Sequence, residues 1–320
     1  MMGKLTRIAS LLMALVLLSA CGGKKAAPAQ SVREFPPVPK VPSVFTDPAD
    51  INGYVADHFW DEFLSKPYAC DSLLVNGVQA DEVESALGRF VTIIENYCTR
   101  DRATAAMQKL FDKVSAFQVS NPSSNVFAFF EKMVPKYLYD PNSPVRDEDL
   151  YLPYVTGLSS SDLASEDMKP SYSRDASVCS INKVGTKAAD IVFTDMHSKR
   201  HRLYDIKTDH TLLFFSNPGC NNCEEVTTRL SLNGRVQELI DSKELAIVNI
   251  YIDQEREKWM AAAGGYPGKW YNGYDQDYVI RRDLTYCVRA IPSLYILDKD
   301  KVVLMKDAPV EKVLVYLENI

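Results

Sequence analysis

The stretch Thr211-Leu212-Leu213-Phe214-Phe215-Ser216-Asn217-Pro218-Gly219-Cys220-Asn221-Asn222-Cys223 decides how this chain is read. An apolar run of strand type ends in a Cys-x-x-Cys placed where a helix is expected to begin. Two sulfurs separated by two residues can close a small disulfide ring. The unpaired N–H groups at a helix N-terminus favour a thiolate on the first of them. The expected chemistry is therefore that of sulfur, with Cys220 the exposed, attacking group and Cys223, one turn further in, the resolving one.

Other uses of the motif lack their partners. A c-type haem site needs His directly after the second cysteine, where Glu224 stands. A structural zinc site needs a second pair of ligands. A copper site with a downstream imidazole is disfavoured too, because the histidines, His58, His197, His201 and His210, all precede Cys220. No metal and no cofactor is expected.

Working outward, the chain after Asn182 reads as short strands separated by helices. Ile191–Asp195 and Arg202–Tyr204 flank a turn-like Met196-His197-Ser198-Lys199 and predict a hairpin. Leu212–Phe215 and Leu245–Ile252 are continuous apolar runs of the kind buried within a sheet. Glu224–Ile240 is helical in pattern, with Gly234 a point of kink or division. Leu294–Leu297 and Val302–Met305 predict a second hairpin, and Val310–Leu317 a closing helix.

This order resembles the thioredoxin fold with the N-terminal extension of envelope thiol–disulfide oxidoreductases, over about Gly185 to Ile320. A second motif, Tyr286-Cys287-Val288-Arg289-Ala290-Ile291-Pro292-Ser293, resembles the family's segment that carries a cis proline opposite the cysteines. The resemblance implies an α/β domain over residues 183–320, a central mixed sheet with flanking helices. It also implies that Pro292 is cis and that the Ile291 backbone pairs with a substrate segment as an added strand. Members of the family usually keep a buried Asp six residues before the first cysteine, and here that position is Phe214. The proton acceptor for Cys223 is thus unassigned. Glu225, and less well Glu224, is the candidate base, although both also complement the helix dipole. Asn221-Asn222 supplies no cation, which favours a reducing or isomerising role over an oxidising one.

Residues 46–175 carry a helical period instead. Val83, Leu87, Phe90, Val91 and Ile94 recur at three- and four-residue steps, as do Met107, Leu110, Phe111, Val114 and Phe117, and then Val126, Phe130, Met133 and Val134. Tyr139-Asp140-Pro141-Asn142-Ser143-Pro144 breaks the series and Asp147–Val155 resumes it. The segments His58-Phe59-Trp60-Asp61 and Tyr137 to Arg146 resemble an uncharacterised helical domain found before thioredoxin-like domains in Gram-negative envelope lipoproteins. An all-α domain of unknown function is expected, with Trp60, His58 and Arg146 read as core packing and a capped helix end.

The first 20 residues predict a signal peptide, with Lys4 and Arg7 ahead of the apolar Ile8–Leu18. Leu18-Ser19-Ala20-Cys21 resembles the bacterial lipobox, which implies cleavage before Cys21 and its lipidation, and so a lipid anchor in the envelope of a Gram-negative bacterium. Residues 21–45, with Pro28, Pro36, Pro37, Pro39 and Pro42, read as a tether. Loss of residues 1–20 leaves 34 basic against 42 acidic residues, a net charge of −8, which argues against a nucleic-acid partner. The expected partners are thiols and disulfides of envelope proteins and a redox partner.

Two features admit two readings each. Cys70 and Cys98 either form a disulfide within the helical domain or serve as buried thiols. The aromatic loop Tyr266–Asp275, with Trp270 at its centre, either walls a substrate groove or covers a sheet edge. A non-catalytic thioredoxin scaffold whose cysteine pair is structural, acting as a binding or assembly module, is the alternative to the oxidoreductase. Exposure of Cys220 separates the two.

Overall fold

The structure is a computed structural model and describes residues 32–320. The signal peptide over 1–20 and the lipidation site Cys21 lie outside the described residues. No helix among the described residues is long and apolar enough to cross a membrane.

The N-terminal domain is built from α1 (Pro48–His58), a two-stranded hairpin of β1 (Leu74–Val75) and β2 (Val78–Gln79), and then α2 (Ala80–Tyr97), α3 (Arg100–Ser120), α4 (Val126–Leu138), α5 (Glu148–Ser160) and α6 (Lys169–Cys179). Side chains set several of the starts. Asp47 accepts from the Ala49 N–H, Thr99 from Arg102, and Asp147 from both Asp149 and Leu150. The predicted apolar series are the buried faces of α2, α3 and α4, which meet around Trp60, Phe63, Phe90 and Phe130. The helical domain thus holds one small hairpin that the apolar periodicity did not reveal, and its core runs to Cys179, past the expected limit at 175.

The expected tether is docked on the helical domain at Arg33 and Phe35. Arg33 donates from Nε to the Asn76 carbonyl at 2.9 Å and from Nη2 to the Phe63 carbonyl at 2.7 Å. Phe35 packs on Phe63 with ring centroids 5.3 Å apart, and its N–H donates to Glu82. One aromatic and one forked cation are enough to hold a Pro-rich strand whose other side chains bury little.

The second domain contains β3 (Val192–Thr194), β4 (Arg200–Arg202), β5 (His210–Phe215), α7 (Asn221–Leu232), α8 (Gly234–Asp241), β6 (Leu245–Tyr251), α9 (Arg256–Ala262), β7 (Tyr271–Tyr274), α10 (Val279–Arg282), β8 (Ser293–Asp298), β9 (Val303–Met305) and α11 (Val310–Glu318). The strands form one mixed sheet in the order β4-β3-β7-β6-β5-β8-β9, with β5, β6 and β7 mutually parallel and β8 antiparallel to β5. Successive side chains of β5 go to opposite faces. Leu213 and Phe215 join one core layer with Val248, Ile250, Tyr295 and Leu297. Leu212 and Phe214 join the other, beneath α7 and α11. The predicted α/β class, both hairpins and the division of the long helix at Asn233, which caps α8, are all present.

Cys70 and Cys98 are not joined. Cys70 precedes the hairpin that leads straight into α2, and Cys98 caps the far end of that 18-residue helix. A helix of that length spans about 27 Å, whereas a disulfide needs Cα atoms within about 7 Å.

Candidate functional site

Strand β5 runs out at Phe215, the chain turns at Gly219, and Cys220 becomes the N-cap of α7. The backbone N–H of Cys223 donates to Cys220 Sγ at 3.2 Å, so one of the helix's unpaired donors is aimed at the first sulfur. The Sγ atoms of Cys220 and Cys223 lie 2.50 Å apart, with their Cα atoms at 5.2 Å, as a disulfide pair. Cys220 is half-buried, whereas Cys223 is only 3% exposed and packs into the core layer with Val226 and Leu230.

The Ile291–Pro292 peptide is cis, as the resemblance implied, and the Ile291 carbonyl oxygen lies 4.0 Å from Cys220 Sγ. The two motifs, far apart in sequence, therefore meet at one sulfur. Pro292 immediately precedes β8, which pairs with β5 in register Phe215 to Ser293, so sheet register brings the loop to the cysteines.

Beneath α7 the environment is apolar at the position where a buried acid was looked for. Phe214 is fully buried in the same layer as Cys223, 6.4 Å from the Trp270 ring. The polar groups near the strand ends are amides and hydroxyls. Ser216 donates to Asn249 Oδ1 at 2.5 Å, Asn249 Nδ2 donates to Asn272 Oδ1 at 3.2 Å, and Asn217 Nδ2 donates to Asp253 at 2.6 Å. Asn249 was missed in the sequence, although a lone amide inside the apolar run Leu245–Tyr251 is its signal. Burial pushes the Tyr266 phenol up despite its contact with the Ser216 hydroxyl.

The candidate bases separate clearly. Glu225 is 69% exposed, with Arg229 at 4.0 Å, and turns along the outside of α7. Glu224 instead lines a cleft of about 400 Å³ together with Cys223, Asn217, Thr227, Thr228 and Tyr266. An i,i+4 pairing with Arg229 accounts for Glu225. The structure likewise moves Trp270 away from the expected groove. Trp270 is 6% exposed and lines a different cavity, of about 330 Å³, with Trp259 and Asn272. Tyr266 borders both cavities and is the aromatic that reaches the cysteine cleft. Among the described residues there is no cluster of three or more His, Cys, Asp or Glu side chains placed to hold a metal ion.

Comparison with known proteins matches residues 20–180 to the family described as Domain of unknown function (DUF5106). A thioredoxin-like protein from Bacteroides caccae is 30% identical over 88% of this chain and 98% of its own, with a TM-score of 0.75. The C-terminal domain of an uncharacterized protein from Bacteroides fragilis is 39% identical over 43% of this chain and 98% of its own, with a TM-score of 0.42. The thioredoxin domain of a thiol-disulfide oxidoreductase from Bacteroides vulgatus is 21% identical over 43% of this chain and 96% of its own, with a TM-score of 0.39. No curated protein matches the chain.

Proposed function

We propose that this chain, which belongs to the DUF5106 family and, with its Bacteroides caccae relative, to the thioredoxin-like proteins, is a thiol–disulfide oxidoreductase acting on cysteines of other proteins. The observation that carries the reading is the setting of Cys220. Its sulfur is half-buried rather than enclosed, receives a helix N–H at 3.2 Å and faces a backbone carbonyl at 4.0 Å. A purely structural disulfide has no need of an accessible sulfur, so the scaffold alternative is not favoured.

In the reducing direction the Cys220 thiolate attacks one sulfur of a substrate disulfide. A mixed disulfide forms, the substrate S–S bond breaks, and the departing substrate sulfur takes up a proton. Cys223 then loses its proton and attacks Cys220 Sγ. The second substrate thiol is released, and Cys220–Cys223 is left oxidised, to be returned to the dithiol by a dithiol redox partner. The Ile291 backbone offers its carbonyl to an extended substrate segment lying across Cys220. The cleft beside Cys223 gives water and the Glu224 carboxylate a route to the resolving sulfur. Asn221 and Asn222 add no positive charge, which supports a reducing or isomerising role. Placement in the cell envelope, on a lipid at Cys21, belongs to the same proposal.

The test is a redox titration of the purified chain followed by thiol alkylation, with Cys220→Ser and Cys223→Ser as controls. The expected result is a reversible two-electron transition, lost in both variants, with Cys223→Ser accumulating mixed disulfides. A disulfide that opens to reductant only when the protein unfolds would return the pair to a structural role.

A further inference from the structure

Most of the buried charged groups that the exchange chemistry does not use lie where the two domains meet. Glu148, at the start of α5, is 4% exposed. Its Oε1 accepts from Arg289 Nε at 2.7 Å, and its Oε2 lies 2.8 Å from Lys306 Nζ. Lys306 also donates to the carbonyls of Cys179 and Ile181, at 2.8 and 2.7 Å. Arg289 donates from Nη1 to the Tyr139 carbonyl at 2.6 Å, and its guanidinium lies over the Tyr139 ring, 3.8 Å from the centroid. Asp307 completes the group, 3.4 Å from Arg146 and 4.0 Å from Arg289.

Stability alone is a poor account of this cluster. Desolvating two ions costs several kcal/mol each, and apolar side chains of the same volume often serve a core as well or better. What fixed charges add is geometry. The planar guanidinium of Arg289 binds a carboxylate through Nε and a carbonyl through Nη1, both from the helical domain, and so has one allowed position. Arg289 stands two residues before Ile291, whose carbonyl faces Cys220. On the far side of the loop, Ser293 is fully buried.

We propose that the helical domain holds the substrate-pairing loop of the redox site in place, with Glu148 and the Tyr139 carbonyl fixing Arg289, and Arg289 fixing Val288–Ser293 against Cys220. Glu148 and Arg289 are then positioning residues for exchange with protein substrates. The inference rests on the exchange reading, with the loop's own order as a readout independent of it.

The experiment compares wild type, Arg289→Lys and Glu148→Gln in two measurements. The first is the reduction of a disulfide-bonded peptide, set against reduction of Cys220–Cys223 by dithiothreitol, which needs no backbone pairing. In both variants KM for the peptide rises about tenfold or more, while the dithiothreitol rate and the reduction potential stay at wild-type values. The second is hydrogen exchange, in which the amides of 288–291 speed up about tenfold while those of α7 do not change. Folded variants with wild-type peptide KM and wild-type loop exchange would overturn the inference. So would failure of both variants to fold, because the cluster would then be structural. A wild-type chain inert toward the peptide would end the exchange reading alone, and loop exchange would still decide whether the helical domain sets the loop.

Discussion

The helical domain and the sheet domain bury their interiors in different ways. Around Trp60 the rings of Phe35, Phe59, Phe63, Phe90 and Phe130 all lie within 6 Å of the indole, centroid to centroid, with the Arg33 and Arg89 guanidinium groups lying over the Phe63 and Phe35 rings. The sheet domain carries Ser216, Asn249 and Asn272 in a hydrogen-bonded line near the end of β5, beside the one sulfur pair that the fold leaves accessible. The cysteine pair lies in the sheet domain, whereas the helical domain turns Glu148 and Tyr139 toward Arg289 of the loop opposite them, and Arg146 toward Asp307. A dense core far from the chemistry gives those groups a rigid base.

The largest effect that bears on this contrast is expected from Trp60→Ala. Removing a 2%-exposed indole from an aromatic cluster costs ~4 kcal/mol. If the two domains share the buried ions as described, urea unfolding followed by circular dichroism and by Cys220 alkylation will show one transition, moved to lower denaturant. Two separate transitions, with the sheet domain left at its wild-type midpoint, would break the comparison.

Phe214→Asp comes next and sharpens it from the other side. The substitution removes a buried ring and places a carboxyl in an apolar layer beneath α7, which destabilises the sheet domain most at neutral pH, where the carboxyl is charged. Burial raises a carboxyl's pKa, so this deficit is largest above the raised value and shrinks as pH falls below it. Resolution of the mixed disulfide, which already depends on deprotonation of Cys223, should gain a second pH dependence set by the new carboxyl. A stability deficit that is the same at pH 4 and pH 8 would show that water reaches the new carboxylate and that the layer is not dry.

Local signatures explain what the sequence revealed. The apolar run before Cys220, the Ile-Pro-Ser segment and the two hairpins each carry their pattern within a few residues. Strand β7 does not. Tyr271-Asn272-Gly273-Tyr274 shows no alternation, and a Cβ at Gly273 would come within 2.5 Å of the Phe193 ring and 2.9 Å of the Thr194 carbonyl, so its glycine answers to a strand some eighty residues away. Helix α6 buries only Tyr172, Val178 and Cys179, too few to print a period. Glu148, Lys306 and Asp307 read as surface charges until tertiary packing encloses them. Exposure of Glu225 and burial of Trp270 are likewise set by how α7 and β7 sit on the sheet, which residue type does not encode.

A smaller effect measures how tightly the helical domain is packed. A Cβ at Gly157 would lie 2.5 Å from the Phe111 ring, which itself stands edge-on to Tyr154 at 5.4 Å. Gly157→Ala should cost ~2 kcal/mol through overpacking, against the gain that alanine gives most helices. A stabilised variant in thermal unfolding would mean that Phe111 has room to turn, and would weaken the claim that this domain is the rigid partner.

The smallest effect lies on the sheet domain's outer hairpin and carries a pH sign. Asp195 accepts the N–H groups of His197 and Lys199, each at 2.9 Å, and its other oxygen lies 2.9 Å from His201 Nε2. Burial alone would raise its carboxyl, but the bonds from His201, Lys199 and His197 outweigh it and hold the pKa below the usual carboxylate range. A carboxylate depressed in the folded state contributes stability that is present above its unfolded value, near 3.9, and is lost as pH falls through the folded one. Asp195→Asn should therefore cost about 1 kcal/mol at pH 7. The gap from wild type should narrow steadily once the pH drops below about 4, as read from urea midpoints at successive pH values. A gap that holds constant down to acid would assign the turn's stability to side-chain shape, and the charge on Asp195 would then contribute nothing to the hairpin that edges the sheet.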